Sequence, residues 1–200
     1  MKTPNKKLSI YLPLNFLLGD WVRKIVSFIS LMLLPITVVA AQNESVYTRL
    51  DEKNCKMIEQ SNEGGGWFRS ECAGVDGFKL EVTESDLRQS IDIISPSGEK
   101  FALDFWRISG GFSSVGATAE WRLSKKTPVA LIVRFNANQS EDPTTTTSYL
   151  IVAKMSKTAA CITDMVKPSK NQNVEARKLA DKAQKPCQKF NNTSDSFMRR

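Results

Sequence analysis

The sequence predicts a mainly β (α+β) domain: an antiparallel sheet, sandwich or barrel of about eight to ten short strands, with one C-terminal helix pinned by a disulfide. Three observations carry this. Apolar and polar residues alternate at period two through the middle of the chain, as in Phe78-Lys79-Leu80-Glu81-Val82, the signature of half-buried strands. Clusters of Gly, Pro, Asn and Asp interrupt these runs at short intervals. Only one late segment, Val174 to Gln184, has helical composition, and a cysteine closes it off.

The elements follow in order. Ser45–Leu50 and Cys55–Gln60 read as strands joined by the polar turn Asp51–Asn54. Gly64, Gly65 and Gly66 then make a tight turn into Trp67–Cys72; no Lys-Ser/Thr pair or helix start follows them, as a phosphate-binding loop would require. Strands follow on Phe78, Leu80 and Val82, on Ile91 and Ile93, and on Phe101, Leu103 and Phe105, with Ser95–Glu99 as a hairpin turn between the last two. Ser109–Gly116 reads as a flexible polar loop with Phe112 exposed, leading to a strand over Ala117–Leu123. Val129–Phe135 is nearly continuous apolar and β-branched, as in a central strand. Asn136–Thr147 reads as a polar connection, Ser148–Met155 as the return strand and Ala160–Val166 as a last strand. In the helix the apolar positions are Val174, Leu179 and Ala183, and Pro186 ends it.

Upstream, Met1–Ala41 has the order of a secretory signal. Lys2, Lys6, Lys7, Arg23 and Lys24 precede an uncharged run from Ile25 that ends in Val39-Ala40-Ala41, an Ala-type cleavage site. The alternative is an uncleaved membrane anchor, but the run is short of the about 20 residues a spanning helix needs and contains Pro35. Residues 1–41 are therefore expected to be a signal peptide, 42–187 a single β-rich domain and 188–200 a disordered polar tail. Export agrees with four cysteines, all downstream of the signal. Of the three possible connectivities, Cys55 with Cys72 and Cys161 with Cys187 is the expected one, because each pair clips a local segment. Each clip stabilises by roughly 3 kcal/mol in the chain-entropy picture.

The full chain is formally +7, but beyond residue 41 there are 23 basic and 20 acidic residues, a net +3. That excess does not predict a nucleic-acid partner. The chain holds no histidine, which excludes Ser-His-Asp and Cys-His nucleophiles and histidine-containing zinc sites. The cysteine pairs lack close metal-ligand spacing, so no metal and no cofactor are expected. Glu84 and Asp86 beside Arg88 offer a carboxylate pair, but a charged turn whose arginine pairs locally is the favoured reading of them. Trp67, Trp106 and Trp121, with Arg69, Arg107 and Arg122 beside them, offer a ligand face or core packing. The loop carrying Phe112 is the best recognition element, since loops on a rigid sheet carry function. The candidate partner-binding residues are thus Phe112, Trp106, Arg107, Trp121 and Arg122, and no catalytic residue is assigned.

Tyr47-Thr48-Arg49-Leu50-Asp51 followed by Cys55, Gly66-Trp67 followed by Cys72, Glu84-Ser85-Asp86-Leu87-Arg88, Glu120-Trp121-Arg122-Leu123 and a final helix running into Cys187 resemble a family of small secreted proteins from alphaproteobacteria. The resemblance covers most of the chain beyond residue 41. It implies a Gram-negative periplasm and the two cysteine pairs, and it implies no activity. The expected function is a non-enzymatic periplasmic binding domain whose partner is a protein or an envelope component. The alternatives are a hydrolase of envelope polymers using carboxylates, and a structural envelope protein tethered by residues 25–41.

Overall fold

Ten strands form one sheet that folds over on itself. The computed structural model describes residues 43–109, 111–138, 144–182 and 185–188; residues 1–41, expected to be a signal, and those beyond Gln188 lie outside them. In chain order the strands are β1 Glu44–Arg49, β2 Cys55–Ser61, β3 Trp67–Ala73, β4 Lys79–Ser85, β5 Arg88–Ile94, β6 Lys100–Ala102, β7 Ser113–Ser124, β8 Thr127–Asn138, β9 Thr146–Met155 and β10 Ala160–Val166. One helix, α1, spans Gln172–Asp181.

β2 through β6 form one antiparallel half, and β1 with β7 through β10 the other. A single parallel bridge, Arg88 opposite Ser113, joins them. The inner faces meet in a core that includes Phe78, Leu80, Ile91 and Ile93 from the first half and Trp121, Leu131, Phe135 and Ile151 from the second. Phe105 fills the space between, edge-on to Phe135 at 5.2 Å. Ala130, Ile132, Leu150 and Val152 face the other way and are covered by α1.

Both expected disulfides are present. Cys55 and Cys72 are Cα partners across β2 and β3, and Cys161–Cys187 ties the segment after α1 to β10. That segment lies along the free edge of β10: the Gln188 backbone N–H donates to the Ile162 carbonyl at 2.8 Å and its side chain donates to the Thr163 carbonyl. Gln188 is thus held in place, not the first residue of a loose tail. Two formed disulfides fit an oxidising compartment. Among the described residues no helix is long and apolar enough to cross a membrane.

Four expectations need correction. The strand drawn through Phe105 stops at Ala102, because Asp104 takes a left-handed conformation (φ 50°) and starts a 3-10 turn over Phe105–Arg107. β7 begins at Ser113, so Ser113–Gly116 is strand and not loop. β8 and β9 reach Asn138 and Thr146, well into the stretch read as a connection, because a polar ladder holds them together: Asn136 with Ser148, and Asn138 with Thr146. The helix buries Gln172, Ala176 and Ala180, four residues apart, and leaves Val174 65% exposed.

Candidate functional site

Trp67, Leu87 and Phe112 are exposed at the same end of the molecule, at 41%, 53% and 44%. Chain connections explain why they share it. β3 starts at Trp67, paired with Ser85 on β4. The two-residue turn Asp86-Leu87 joins β4 to β5, with Ser85 opposite Arg88, and Phe112 immediately precedes β7. Backbone hydrogen bonds fasten these segments together. Asp86 N–H donates to the Gly66 carbonyl (3.2 Å), Ser113 N–H to the Leu87 carbonyl (3.0 Å), and Asn138 N–H to the Phe112 carbonyl (2.9 Å). Gly111 packs so closely that a Cβ there would lie 2.9 Å from the Asn138 oxygen. The Phe112 segment, expected to be flexible, is tied down.

Asp86 and Leu87 both adopt positive φ, 50° and 58°, the conformation a two-residue hairpin demands and for which Gly or Asn is the usual choice. A leucine held there costs about 1–2 kcal/mol. An apolar side chain at a strained, exposed tip is what a binding surface requires and what a solvated turn does not. Arg88 pairs with Asp86 at 2.6 Å, and its guanidinium lies 5.9 Å from the Phe112 ring centroid. The turn is therefore locally charge-paired, and Asp86 is not placed as a catalytic acid.

A 280 Å³ cavity opens beside Phe112 and Leu87, lined also by Glu84, Ser113, Ser114, Asn136, Asn138 and Thr146. The Gln89 amide sets Glu84, donating to its Oε2 at 2.8 Å while accepting from Val115 N–H at 2.8 Å. In two larger cavities some of the polar groups are engaged by the protein. The 620 Å³ cleft behind β1–β2 is floored by Phe68, Val82 and Val115; its Gln89 is used as above, and its Asp51 is bound by Asn54 and Arg49. At the 520 Å³ hollow below the end of α1, Lys154 donates to the Ala180 and Lys182 carbonyls and Lys185 pairs with Asp164.

Of the residues expected to bind a partner, Phe112 belongs to this tip. Trp106 is 53% exposed, but on the 3-10 turn, with Arg107 stacked 5.4 Å from its ring centroid; the guanidinium that meets Phe112 is that of Arg88. Trp121 and Arg122 cannot face a partner. Trp121 is wholly buried, its indole N–H donating to Thr48 Oγ1 at 2.9 Å. Arg122 lies between sheet and helix, donating to both oxygens of Asp181 (2.8 and 2.7 Å), to the Asn43 carbonyl (2.8 Å) and to Ser45. Sequence reading missed Leu87, although an apolar residue where a tight turn wants Gly was a usable signal. It also missed Asn136 and Thr146, whose polarity suggested a loop.

One pair of carboxylates meets elsewhere. Glu81 and Asp92 are Cα partners on β4 and β5, on the face opposite the core. Lys100 binds Glu81, with Arg69 at 3.8 Å. Burial pushes the Asp92 carboxyl above its ordinary value, against the hydrogen bond from Leu103 N–H. Among the described residues no group of three or more His, Cys, Asp or Glu is arranged to hold a metal ion. No family model, no curated protein and no solved structure matches this chain.

Proposed function

We propose that this chain is an exported, non-enzymatic binding domain of a Gram-negative periplasm, and that it engages an envelope component through the end carrying Trp67, Leu87 and Phe112. The observation that carries the reading is the exposure of three large apolar side chains on segments fastened to one another by backbone hydrogen bonds. Exposed aromatics on a pre-set backbone lose little conformational freedom on binding. The signal-like Met1–Ala41 segment, the two disulfides and the resemblance to secreted alphaproteobacterial proteins support the compartment.

The test is co-sedimentation of the full chain, purified as the cell processes it, with envelope material from an alphaproteobacterium. The triple variant Trp67→Ala, Leu87→Ser, Phe112→Ala should bind at least tenfold more weakly while keeping the parent's melting temperature and circular dichroism. Equal binding by parent and variant would remove the tip from the reading. Mass spectrometry of the exported protein should show a mass lacking residues 1–41 that rises by four protons on reduction; an intact N-terminus in the membrane fraction would favour the tethered alternative.

The second reading, a carboxylate hydrolase, draws support from Asp92 alone, a half-buried acid with a raised pKa. Release of soluble fragments from peptidoglycan by the parent, abolished in Asp92→Asn, would favour it.

A further inference from the structure

Resting on the reading of the tip as a binding surface, we propose that its cavity is an oligosaccharide subsite, with Phe112 as the stacking platform. Ser114, Asn136, Thr146 and Glu84 are its hydrogen-bonding groups. The lining chemistry selects the class. Hydroxyl and amide side chains both donate and accept, which matches a ligand bearing many neutral hydroxyls. Glu84 is the only charged group among the described lining residues, and the guanidinium beside Phe112, that of Arg88, is already paired with Asp86, so a phosphate or nucleotide would meet a carboxylate and a neutralised cation. A peptide strand would need a free backbone edge, but β8 is paired on both sides here, Asn136 with Ser114 and with Ser148.

The polar groups are also positioned in advance. Asn136 donates to Ser114 Oγ at 3.4 Å and accepts from Ser148 Oγ at 2.8 Å, and Thr146 donates to Asn138 Oδ1 at 3.2 Å. They stand in rows across β7, β8 and β9 at the strand spacing of about 4.8 Å, so neighbouring hydroxyls of a sugar ring can be met without reordering the side chains. The volume, 280 Å³, lies just below the range of about 300–1,000 Å³ usual for small-molecule sites. It suits an end ring seated against Phe112 with the rest of the chain running out over Leu87.

The test is an amide NMR titration of the full chain, purified as processed, with three probes: a β-1,4-linked N-acetylglucosamine tetramer, maltotetraose and inorganic phosphate. At least one tetramer should shift the amides of residues 112–114, 136 and 146, with phosphate inert there. Phe112→Ala and Ser114→Ala should each weaken that binding, Phe112→Ala at least tenfold. Gly111→Ala should weaken it too, because the added methyl displaces Phe112. Melting temperatures of the variants separate lost contacts from lost fold. Response to the N-acetylglucosamine tetramer alone would assign a cell-wall glycan, and response to maltotetraose alone a glucan; either supports the class. Silence with both tetramers, or equal shifts with phosphate, overturns it. If envelope binding still depends on the tip while both sugars stay silent, the saccharide assignment falls and the binding surface stands.

Discussion

One residue at the tip and two in the core show how backbone geometry decides what a side chain can do. Leu87 sits at φ 58°, so Leu87→Gly should raise unfolding stability by about 1 kcal/mol, the relieved left-handed strain exceeding the added chain entropy of glycine. The same change should weaken binding at the tip. Urea unfolding and envelope co-sedimentation on one sample would reveal that opposition, and a variant that is both less stable and unimpaired would contradict it. Gly74 is the counterpart in the core. A Cβ there would lie 2.6 Å from the Phe78 oxygen and 2.7 Å from the Trp121 ring. Gly74→Ala should therefore cost about 3 kcal/mol, the upper range for overpacking, seen as a lowered urea midpoint. Trp121 was legible only as to the residues it sides with: in Ala119-Glu120-Trp121-Arg122-Leu123 the alternation puts it with Ala119 and Leu123, but it was expected among the partner-binding residues and is buried. What the pattern does not say is which of the two faces is covered by the core and which by a helix.

Among the elements, α1 departs furthest from expectation. Its buried stripe is Gln172, Ala176 and Ala180, and small residues let the helix sit close on Ile132 and Val152. Gln172 secures the start by donating to the Ser148 and Val166 carbonyls at 2.9 and 3.0 Å. Ala176→Leu should cost about 1–3 kcal/mol, whereas Val174→Ala should stay within about 0.5 kcal/mol; thermal unfolding of the two variants decides which face is inward. Apolar residues alone mislead here because the helix is largely polar, so a glutamine with two carbonyl partners outranks an exposed valine. Replacing Cys161 and Cys187 by serine should lower stability by about 2–4 kcal/mol and free the edge of β10 that the segment through Gln188 covers.

Across the whole molecule, ion pairs join elements far apart in the sequence. Glu120 binds Arg177 at 2.7 Å, and Arg122 binds Asp181 at 2.7 Å, fastening the helix to β7. Burial alone would raise the Asp181 carboxyl, but the hydrogen bonds from Arg122 and Asn43 outweigh it and hold the pKa below the ordinary value. A depressed folded pKa stabilises at pH above the unfolded value near about 3.9. That contribution is lost as pH falls through the lower folded value. Asp92 has the opposite sign: raised by burial, it favours the fold while protonated and loses that advantage as pH rises through its folded pKa. Asp181→Asn should therefore flatten the acid limb of the stability curve below about pH 4, while Asp92→Asn should gain stability relative to the parent at pH 7. Urea midpoints measured from pH 2 to 8 test both, and parallel curves for parent and variants would refute the assignments.

The sequence by itself determined the strands, the place of the helix and the cysteine framework. Period-two alternation, turn residues and local cysteine spacing are short-range properties, visible wherever a few neighbours suffice. Only the tertiary structure decided that Trp121 and Arg122 are interior, that the Phe112–Ser113 segment is fastened to Leu87 and Asn138, and that Ser114 and Asn136 line one cavity with Phe112. Those facts depend on residues brought together by folding one half of the sheet over the other. No local pattern encodes which distant strand a side chain will meet.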